Sequence, residues 1–385
     1  MTHKTKTVIQ RRGSARDFLF SKTDIGRIKD VERKKAVGVS EVLQSVFPDM
    51  LAGRGAIDQA VQHLDSVDQF TALAIGVDQT RRAEEKYSNP GALDEHVEVA
   101  GILETICREK SGLWGTLETG LFCSIFPGTK KTEGLEIARD IQDRLAEKAE
   151  QTVTIGIASY PISAFKKSDM IDNSRKALDH AAFFGPGSAV AFDGVSLNIS
   201  GDKLYENGDL QGAIDEFKRA LLIDPSNVNV HNSLGVCFGL QGEYESAIEE
   251  FKHVASIDPG DYMAMFNLGL VHVLRKQPEK ALEFFLNADK INGDVYEVAF
   301  QSGKLYFESG HLEKAKPFLE RAAKLDPDSG AVYRYLGDCY AAGNLTQDAI
   351  SAYKKAIRHN PHDAAAMSAL GCLFDDQGEN PEITL

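Results

Sequence analysis

The side chains best suited to redox or metal chemistry are five cysteines and one closely spaced pair of histidines. His359 and His362 flank a proline turn at the end of a helix, an arrangement that disfavours a shared metal ion. The cysteines are dispersed and include no Cys-x-x-Cys pair: Cys107, Cys123, Cys237, Cys339 and Cys372. Such a set is typical of reduced, buried thiols in a cytosolic protein. We therefore expect no metal, no cofactor and no catalytic residue here.

The composition is that of a globular protein with a hydrophobic core. The 385 residues are 43% hydrophobic, 26% charged and 8% aromatic, values that are ordinary for folded domains and leave room for two or three of them. No apolar run reaches the roughly 18 residues of a membrane-spanning helix. The basic N-terminus lacks the apolar segment of a secretory signal. We predict a soluble, cytoplasmic protein.

Charge is distributed unevenly along the chain. The net charge of −14 disfavours nucleic acid as a partner. Residues 194–385 contain 17 basic and 29 acidic side chains, whereas residues 1–36 contain eleven basic and four acidic ones. This asymmetry predicts segments with different tasks. The basic arm could contact anionic lipid, RNA or the acidic half of its own chain, or it could be a solvated terminus.

A period of 34 residues organises the second half of the chain. A glycine opens each period, an alanine follows after twelve residues, and a bulky apolar residue follows after four more. The glycines are Gly201, Gly235, Gly269, Gly303, Gly337 and Gly371; the alanines are Ala213, Ala247, Ala281, Ala315 and Ala349; the bulky residues are Phe217, Phe251, Phe285, Leu319 and Tyr353. Small residues allow two antiparallel helices to approach to about 8–10 Å. Prolines such as Pro225 then end the second helix.

This pattern resembles the tetratricopeptide repeat (TPR), which implies an all-α TPR superhelix in residues 194–385. We count five full repeats and a final half repeat. The turn between the two helices of a repeat has a glycine at Gly208, Gly242 and Gly310. Lys276 and Asn344 replace that glycine in the other two repeats.

The resemblance implies a concave groove lined by the first helices of the repeats. Helical spacing selects its lining: Asn232, Val236, Leu240, Met263, Phe266, Asn267, Phe300, Gln301, Phe307, Arg334 and Tyr335. An apolar centre with carboxamides suits an extended or helical peptide. The alternative is that some of these side chains, like Leu270 and Leu274, are core between helices. Asn198 and Asp202 stand where a carboxylate clamp needs Lys and Asn, so we do not expect a C-terminal carboxylate as ligand.

Strands and helices alternate in residues 49–193. We predict strands at 70–78, 120–126, 152–159 and 190–192, and helices ending near Arg108 and spanning 134–148 and 170–183. Only a hairpin-sized gap near 112–118 joins adjacent strands. An α+β sandwich therefore fits better than a doubly wound sheet. Apolar spacing also predicts a connector helix within residues 20–48.

Residues 49–193 resemble the GGDEF domain of diguanylate cyclases, a nucleotide-cyclase-like α+β sandwich. The resemblance rests on Asp78 after a buried strand, on Tyr87, on Phe122 followed by Pro127, and on the late strand that starts at Val153. The family needs two carboxylates to hold Mg²⁺ against a triphosphate. Most matching positions have lost the required residue and form a vestigial nucleotide site: Gly76, Asp78, Glu84, Asp94, Glu118, Thr119, Gly120 and Leu121.

The sequence thus predicts a non-catalytic cytoplasmic adaptor with three parts: a basic arm and connector helix (1–48), a degenerate GGDEF-like domain (49–193) and a TPR solenoid (194–385). The solenoid would bind a protein or peptide, and the acidic groove predicts basic flanks on that partner. The first half would serve regulation or homodimerisation. The alternatives are a divergent diguanylate cyclase, a sensor of GTP or cyclic di-GMP, and a purely structural dimeriser.

Overall fold

The computed structural model describes residues 39–64, 66–78, 91–148, 151–162 and 165–377. These residues fall into two compact units, 39–230 and 231–377. The basic arm, most of the predicted connector helix, Glu84 and Tyr87 lie outside the described residues.

The first unit opens with a mixed α and β region. Its helices and strands follow the chain in this order: α1 (Val39–Val46), β1 (Leu51–Ala52), α2 (Gly53–Gln62), β2 (Phe70–Val77), α3 (Gly91–Glu109), β3 (Leu113–Glu118), β4 (Leu121–Pro127), α4 (Lys131–Lys148), β5 (Val153–Tyr160), α5 (Met170–Ala181) and β6 (Ala189–Ala191). The strands form one sheet in the order β1-β3-β4-β2-β5-β6. Its centre is antiparallel, and both edge pairs are parallel.

Strand β2 lies at the centre of the sheet, and all eight of its residues are buried. Alternate side chains point to opposite faces. Leu73, Ile75 and Val77 join the hydrophobic core that includes residues of α3 and α4. On the other face, α5 approaches β5 so closely that a Cβ atom on Gly156 would lie 2.1 Å from the carbonyl oxygen of Ser174. Small residues are therefore required beneath α5.

Residues 113–118 form strand β3, although the sequence predicts a gap between strands at this segment. Glycines at positions 112 and 115 reduce the strand propensity of the segment. Gly115 is needed because a Cβ atom there would lie 2.0 Å from the carbonyl oxygen of Leu51 in β1. Contact with neighbouring strands, which the local sequence does not encode, decides the conformation.

The first repeat belongs to the same compact unit as the sheet. It consists of α6 (Gly194–Glu206) and α7 (Leu210–Ile223). Asp193 caps α6, because its carboxylate accepts a hydrogen bond of 2.9 Å from the Ser196 amide. Only two residues, Phe192 and Asp193, separate β6 from α6.

The second unit continues the helix pairs. It contains α8 (Val228–Gln241) from His231 onward, followed by eight further helices: α9 (Tyr244–Ile257), α10 (Tyr262–Leu274), α11 (Pro278–Ile291), α12 (Tyr296–Glu308), α13 (Leu312–Leu325), α14 (Gly330–Ala342), α15 (Thr346–His359) and α16 (Ala364–Gln377). A Cβ atom on Gly269 would lie 2.4 Å from the Phe285 ring, and one on Gly337 would lie 2.5 Å from the Tyr353 ring. In each case the glycine of a period lies against the bulky residue of the same period.

The turn inside each repeat requires a left-handed backbone. Gly208, Gly242 and Gly310 have φ values of 82°, 85° and 78°. Lys276 and Asn344 adopt the same conformation at 57° and 58°. Since a Cβ atom is strained at positive φ, Lys276 stores backbone strain that glycine would not. Asn tolerates this region better.

Replacing Lys276 with glycine should stabilise the protein by about 0.5–1 kcal/mol, because the turn loses its left-handed strain. Asn344→Gly should have a smaller effect. Urea denaturation measures both free energies of unfolding. Gly310→Ala is the matched control and should destabilise by about 1 kcal/mol. A Lys276→Gly protein that is less stable than the parent would contradict this account.

Replacing the periodic glycines and alanines of the repeats with larger residues should destabilise the protein. Gly269→Val and Ala281→Leu each push a side chain into an occupied contact and should cost about 1–3 kcal/mol. Gly371→Ala, in the same column, is the control: a Cβ atom there meets nothing within 4 Å. Thermal denaturation should show two destabilised proteins and one that melts at or slightly above the parent temperature. Parent-like melting of the first two would disprove the assigned register.

Candidate functional site

The predicted groove residues separate into buried and partly exposed sets. Four are buried: Asn232, Val236, Phe266 and Asn267. Seven are partly exposed: Leu240, Met263, Phe300, Gln301, Phe307, Arg334 and Tyr335. Five of these seven lie on α12 and α14, the first helices of the fourth and fifth repeats. These two helices therefore carry most of the accessible face.

The buried members contribute to packing, the alternative that the sequence left open. The Phe266 ring lies 5.3 Å from that of Phe285, the side chain that covers Gly269. Asn232 donates a hydrogen bond of 3.2 Å to Asp261. Within the described residues, neither amide atom of the fully buried Asn267 has a hydrogen-bond partner. Leu270 is buried as well, whereas Leu274 is exposed.

Three partly exposed rings form what we call the aromatic cluster: Phe300, Phe307 and Tyr335. The Tyr335 ring centroid lies 5.6 Å from that of Phe300 and 5.9 Å from that of Phe307, both edge to face. Tyr296 extends the cluster by stacking on Phe300 at 5.8 Å. Such edge-to-face pairs stabilise beyond their buried area. The cluster brings together side chains 35 residues apart in sequence.

Charged groups surround the Tyr335 ring. The Arg334 guanidinium lies 4.5 Å from the ring centroid and the Lys304 ammonium 5.9 Å from it. Arg334 is held by Asp363 at 3.3 Å and Asp338 at 3.8 Å. The Tyr335 hydroxyl donates a hydrogen bond of 3.3 Å to Glu308. This face can thus offer both apolar and electrostatic contacts.

Asp338 is a largely buried acid of this face, with a quarter of its side chain exposed. Burial raises the pKa of its carboxyl group more than the Tyr353 hydrogen bond and the nearby Arg334 lower it. The hydrogen bond from the Tyr353 hydroxyl is 2.7 Å long. A carboxylate in such surroundings is stabilised further by any additional cation that approaches it.

The sheet brings most of the predicted vestigial residues to one end of β2. Gly76 pairs with Leu121 across β2 and β4. The amide of Val77 donates a hydrogen bond of 3.0 Å to the Gly120 carbonyl oxygen, in the turn between β3 and β4. Glu118 and Thr119 belong to the same hairpin. Asp94 is exposed in the first turn of α3.

The two carboxylates at this end of the sheet have protein partners. Asp78 accepts hydrogen bonds from the Thr152 hydroxyl at 2.6 Å, the Thr154 hydroxyl at 2.5 Å and the Gly187 amide at 2.9 Å. Glu118 forms an ion pair with Arg175 at 2.5 Å. Asp78 thus anchors the segment after α5 to the sheet.

The cysteines are poorly suited to chemistry. Burial raises the pKa of Cys107 and Cys123 to about 12 and that of Cys339 to about 11, so the reactive thiolate is scarce near neutral pH. Cys372 is exposed, contrary to the expectation that all five thiols are buried. It lies on α16, whose outer face is not covered by a second helix among the described residues. Within the described part of the chain, no group of three or more acidic, histidine or cysteine side chains could hold a metal ion.

Sequence reasoning missed an ion-pair network that joins the sheet region to the first repeat. Lys176 on α5 contacts Glu216 on α7 at 2.7 Å, and both side chains are largely buried. Arg219 lies 3.3 Å from Asp169. Next to these ion pairs lies a cleft of about 330 Å³. Six charged residues line it: Asp169, Asp172, Arg175, Lys176, Asp179 and Arg219. Because the partners are 40 or more residues apart, no local pattern could reveal the network.

Paired antiparallel helices in a constant 34-residue register define a helical-repeat array with an accessible aromatic face. Family models confirm the kind of repeat: a TPR-repeat model matches residues 201–242, and tetratricopeptide-repeat models match residues 228–261, 300–364 and 341–382. The C-terminal region is therefore an array of tetratricopeptide repeats. No curated protein matches the chain significantly.

Three solved structures illustrate the similarity. YrrB, described as a TPR protein with an unusual peptide-binding site, is 23% identical, with a TM-score of 0.40, over 46% of this chain and 91% of its own. PilF of Pseudomonas aeruginosa is 20% identical, with a TM-score of 0.44, over 48% and 86%. MamA of Desulfovibrio magneticus is 18% identical, with a TM-score of 0.40, over 44% and 97%.

Across the described residues, none of the helices combines the length and apolar character needed to cross a membrane.

The loss of stability at acidic pH should depend on Asp172. Arg54 donates hydrogen bonds of 2.5 and 3.0 Å to this carboxylate and holds its pKa below the usual range. The stabilisation is therefore complete above about pH 4, the ordinary pKa of an aspartate, and is lost as the pH falls through the lowered pKa of the folded protein.

Asp172→Asn should thus reduce stability at pH 7 and flatten the decline in stability below pH 4. Denaturation measured from pH 7 to pH 2 tests this effect. Asp143→Asn, at an exposed position on α4, is the control and should keep the parent profile. An unchanged profile for Asp172→Asn would show that the ion pair does not contribute to stability.

Proposed function

We propose that this protein is a non-catalytic scaffold whose tetratricopeptide repeats bind a protein or peptide partner along the first helices. The observation that carries the proposal is the aromatic cluster of Phe300, Phe307 and Tyr335. Three rings from two successive repeats stay partly exposed in an otherwise well-packed array. Partly exposed aromatic rings offer a large contact area at a low cost in conformational entropy.

The partner should be an extended or helical segment that crosses α12 and α14. Its apolar side chains would pack on the aromatic cluster, while the part-exposed carboxamide of Gln301 would pair with its backbone. A hot-spot aromatic typically contributes about 2 kcal/mol or more, roughly thirtyfold in affinity.

The acidic side chains of α12 and α14 favour a partner with basic residues on either side of the bound segment. Glu297, Glu308 and Asp338 lie on the same two helices, and only Lys304 and Arg334 oppose them there. The resulting attraction would be screened by salt, so binding should weaken as ionic strength rises from low to moderate.

For residues 49–193 we propose a degenerate GGDEF-like domain without cyclase activity, which regulates the scaffold or mediates homodimerisation. Two observations support this reading. The segment at the position of the family signature lies at a hairpin turn beside Gly76. The retained Asp78 accepts hydrogen bonds from three donors. The second candidate is a sensor of GTP or cyclic di-GMP, and a GTP titration of the full chain tests it.

Binding should depend on the aromatic cluster. Tyr335→Ala and Phe300→Ala should each weaken a partner captured from lysate about thirtyfold, because each removes a ring from the contact surface. The measurement is a titration of that partner against each variant after its melting temperature has been checked.

The matched control is Tyr333→Ala. Tyr333 lies on the same helix but stacks on His359 of α15, away from the aromatic cluster. This variant should bind like the parent. Folded Tyr335→Ala and Phe300→Ala proteins that also bind like the parent would exclude this face as the binding site.

Incubation of the purified protein with GTP and Mg²⁺ or Mn²⁺ should yield no cyclic dinucleotide. The expected reason is that Gly76 provides no carboxylate and that Asp78 and Glu118 are already paired. Chromatography of the reaction detects the product. A product whose formation is abolished by Glu118→Ala would establish a divergent cyclase instead.

A further inference from the structure

The Lys304 ammonium lies over one ring of the aromatic cluster, that of Tyr335. On α12, Phe300, Lys304, Phe307 and Glu308 are spaced by four, three and one residues, so they share one face of the helix. Both phenyl rings contact Tyr335 across from α14, and the Lys304 ammonium lies 5.9 Å from the Tyr335 ring centroid. A cation thus lies over the Tyr335 ring, on which both phenyl rings pack, and the Glu308 carboxylate lies 3.9 Å from that cation.

Lys304 is held more weakly than the second cation of the cluster. Its ammonium lies 3.9 Å from Glu308, at the limit of an ion pair, and a third of its side chain is exposed. Arg334 lies closer to the ring, at 4.5 Å, and contacts Asp363 at 3.3 Å. Arg334 is therefore part of the frame, whereas Lys304 can leave by rotating its flexible stem.

The surroundings favour a cation even when Lys304 has left. Arg334 then pairs with Asp338 and Asp363, and Glu308 has lost its cation, which leaves an excess of negative charge beside the Tyr335 ring. The faces of aromatic rings attract cations, and cages of several rings recognise ammonium groups.

We propose that a cage formed by the Tyr335 ring, the Phe300 and Phe307 rings packed against it and the Glu308 carboxylate receives a lysine or arginine side chain of the bound partner, and that Lys304 covers the Tyr335 ring of this cage in the free protein. The proposal rests on the proposed scaffold function and specifies the chemistry of its ligand. Lys304 acts as an internal competitor, since the partner's cation must displace it and thereby loses part of its affinity.

The test uses the full chain and three short peptides: acetyl-Ile-Lys-Ile-amide, the norleucine peptide that lacks the charge, and the glutamate peptide. Binding is measured by titration calorimetry for the parent and for Lys304→Met, which keeps the length of the side chain without its charge. The lysine peptide should bind the parent more tightly than the norleucine peptide, by about threefold to thirtyfold. Lys304→Met should increase the ratio of the lysine-peptide affinity to the norleucine-peptide affinity, and Glu308→Gln should decrease it.

Lys314→Met is the matched control. Lys314 also lies over a tyrosine, 5.7 Å from the Tyr306 ring, but on α13 and outside the cage. This variant loses the same charge and should keep the ratio of peptide affinities that the parent shows. If Lys314→Met widens the ratio as much as Lys304→Met does, general electrostatics explains the effect and the cage is excluded.

Equal binding of the lysine and norleucine peptides to both the parent and Lys304→Met would overturn the cation preference and leave the aromatic face as an apolar binding surface. Tighter binding of the glutamate peptide would overturn the preference as well, because Lys304 and Arg334 would then be the recognising groups. The proposed scaffold function fails on a different result, the parent-like binding of a captured partner by folded Tyr335→Ala protein.

Discussion

The close contact between a glycine on each first helix and a bulky side chain on the second helix determines the geometry of every repeat. A Cβ atom on Gly201 or Gly269 would lie 2.4 Å from a phenylalanine ring, and the equivalent atom on Gly303 would lie 2.7 Å from Leu319. Protein interiors are packed too densely to absorb such an overlap. The helix spacing, and with it the placement of every side chain on the first helices, depends on this contact.

The same constraint explains why only some side chains of the first helices are available to a partner. Phe266 packs against Phe285, so its ring is part of the core of its own repeat. Phe300 and Tyr335 contact each other between neighbouring first helices and stay partly exposed. Aromatic residues at equivalent or adjacent positions of the period thus have different roles, depending on which neighbour is large enough to cover them.

In the first unit, polar residues that could serve chemistry are used to hold segments together. Asp78 joins β5 and the segment after α5 to the end of β2. The Lys176–Glu216 pair connects α5 with α7. A buried ion pair contributes little net stability, but removing one partner leaves an uncompensated charge. Such pairs specify which segments meet, and here they combine the sheet region and the first repeat in one compact unit.

The sequence alone determined the repeat and its register, because period and turn chemistry are local properties that recur five times. It also located strands β2, β4 and β5 from their apolar runs. Strand β3 was missed, since Gly115 is explained only by its approach to Leu51. The resemblance of the first half to a cyclase remains a prediction. Only the tertiary structure decided which predicted groove residues are accessible, that Lys304 lies over the Tyr335 ring, and that Glu118 pairs with Arg175. These facts depend on side chains that are 30 to 60 residues apart in sequence, and their contacts are set by packing rather than by any local pattern.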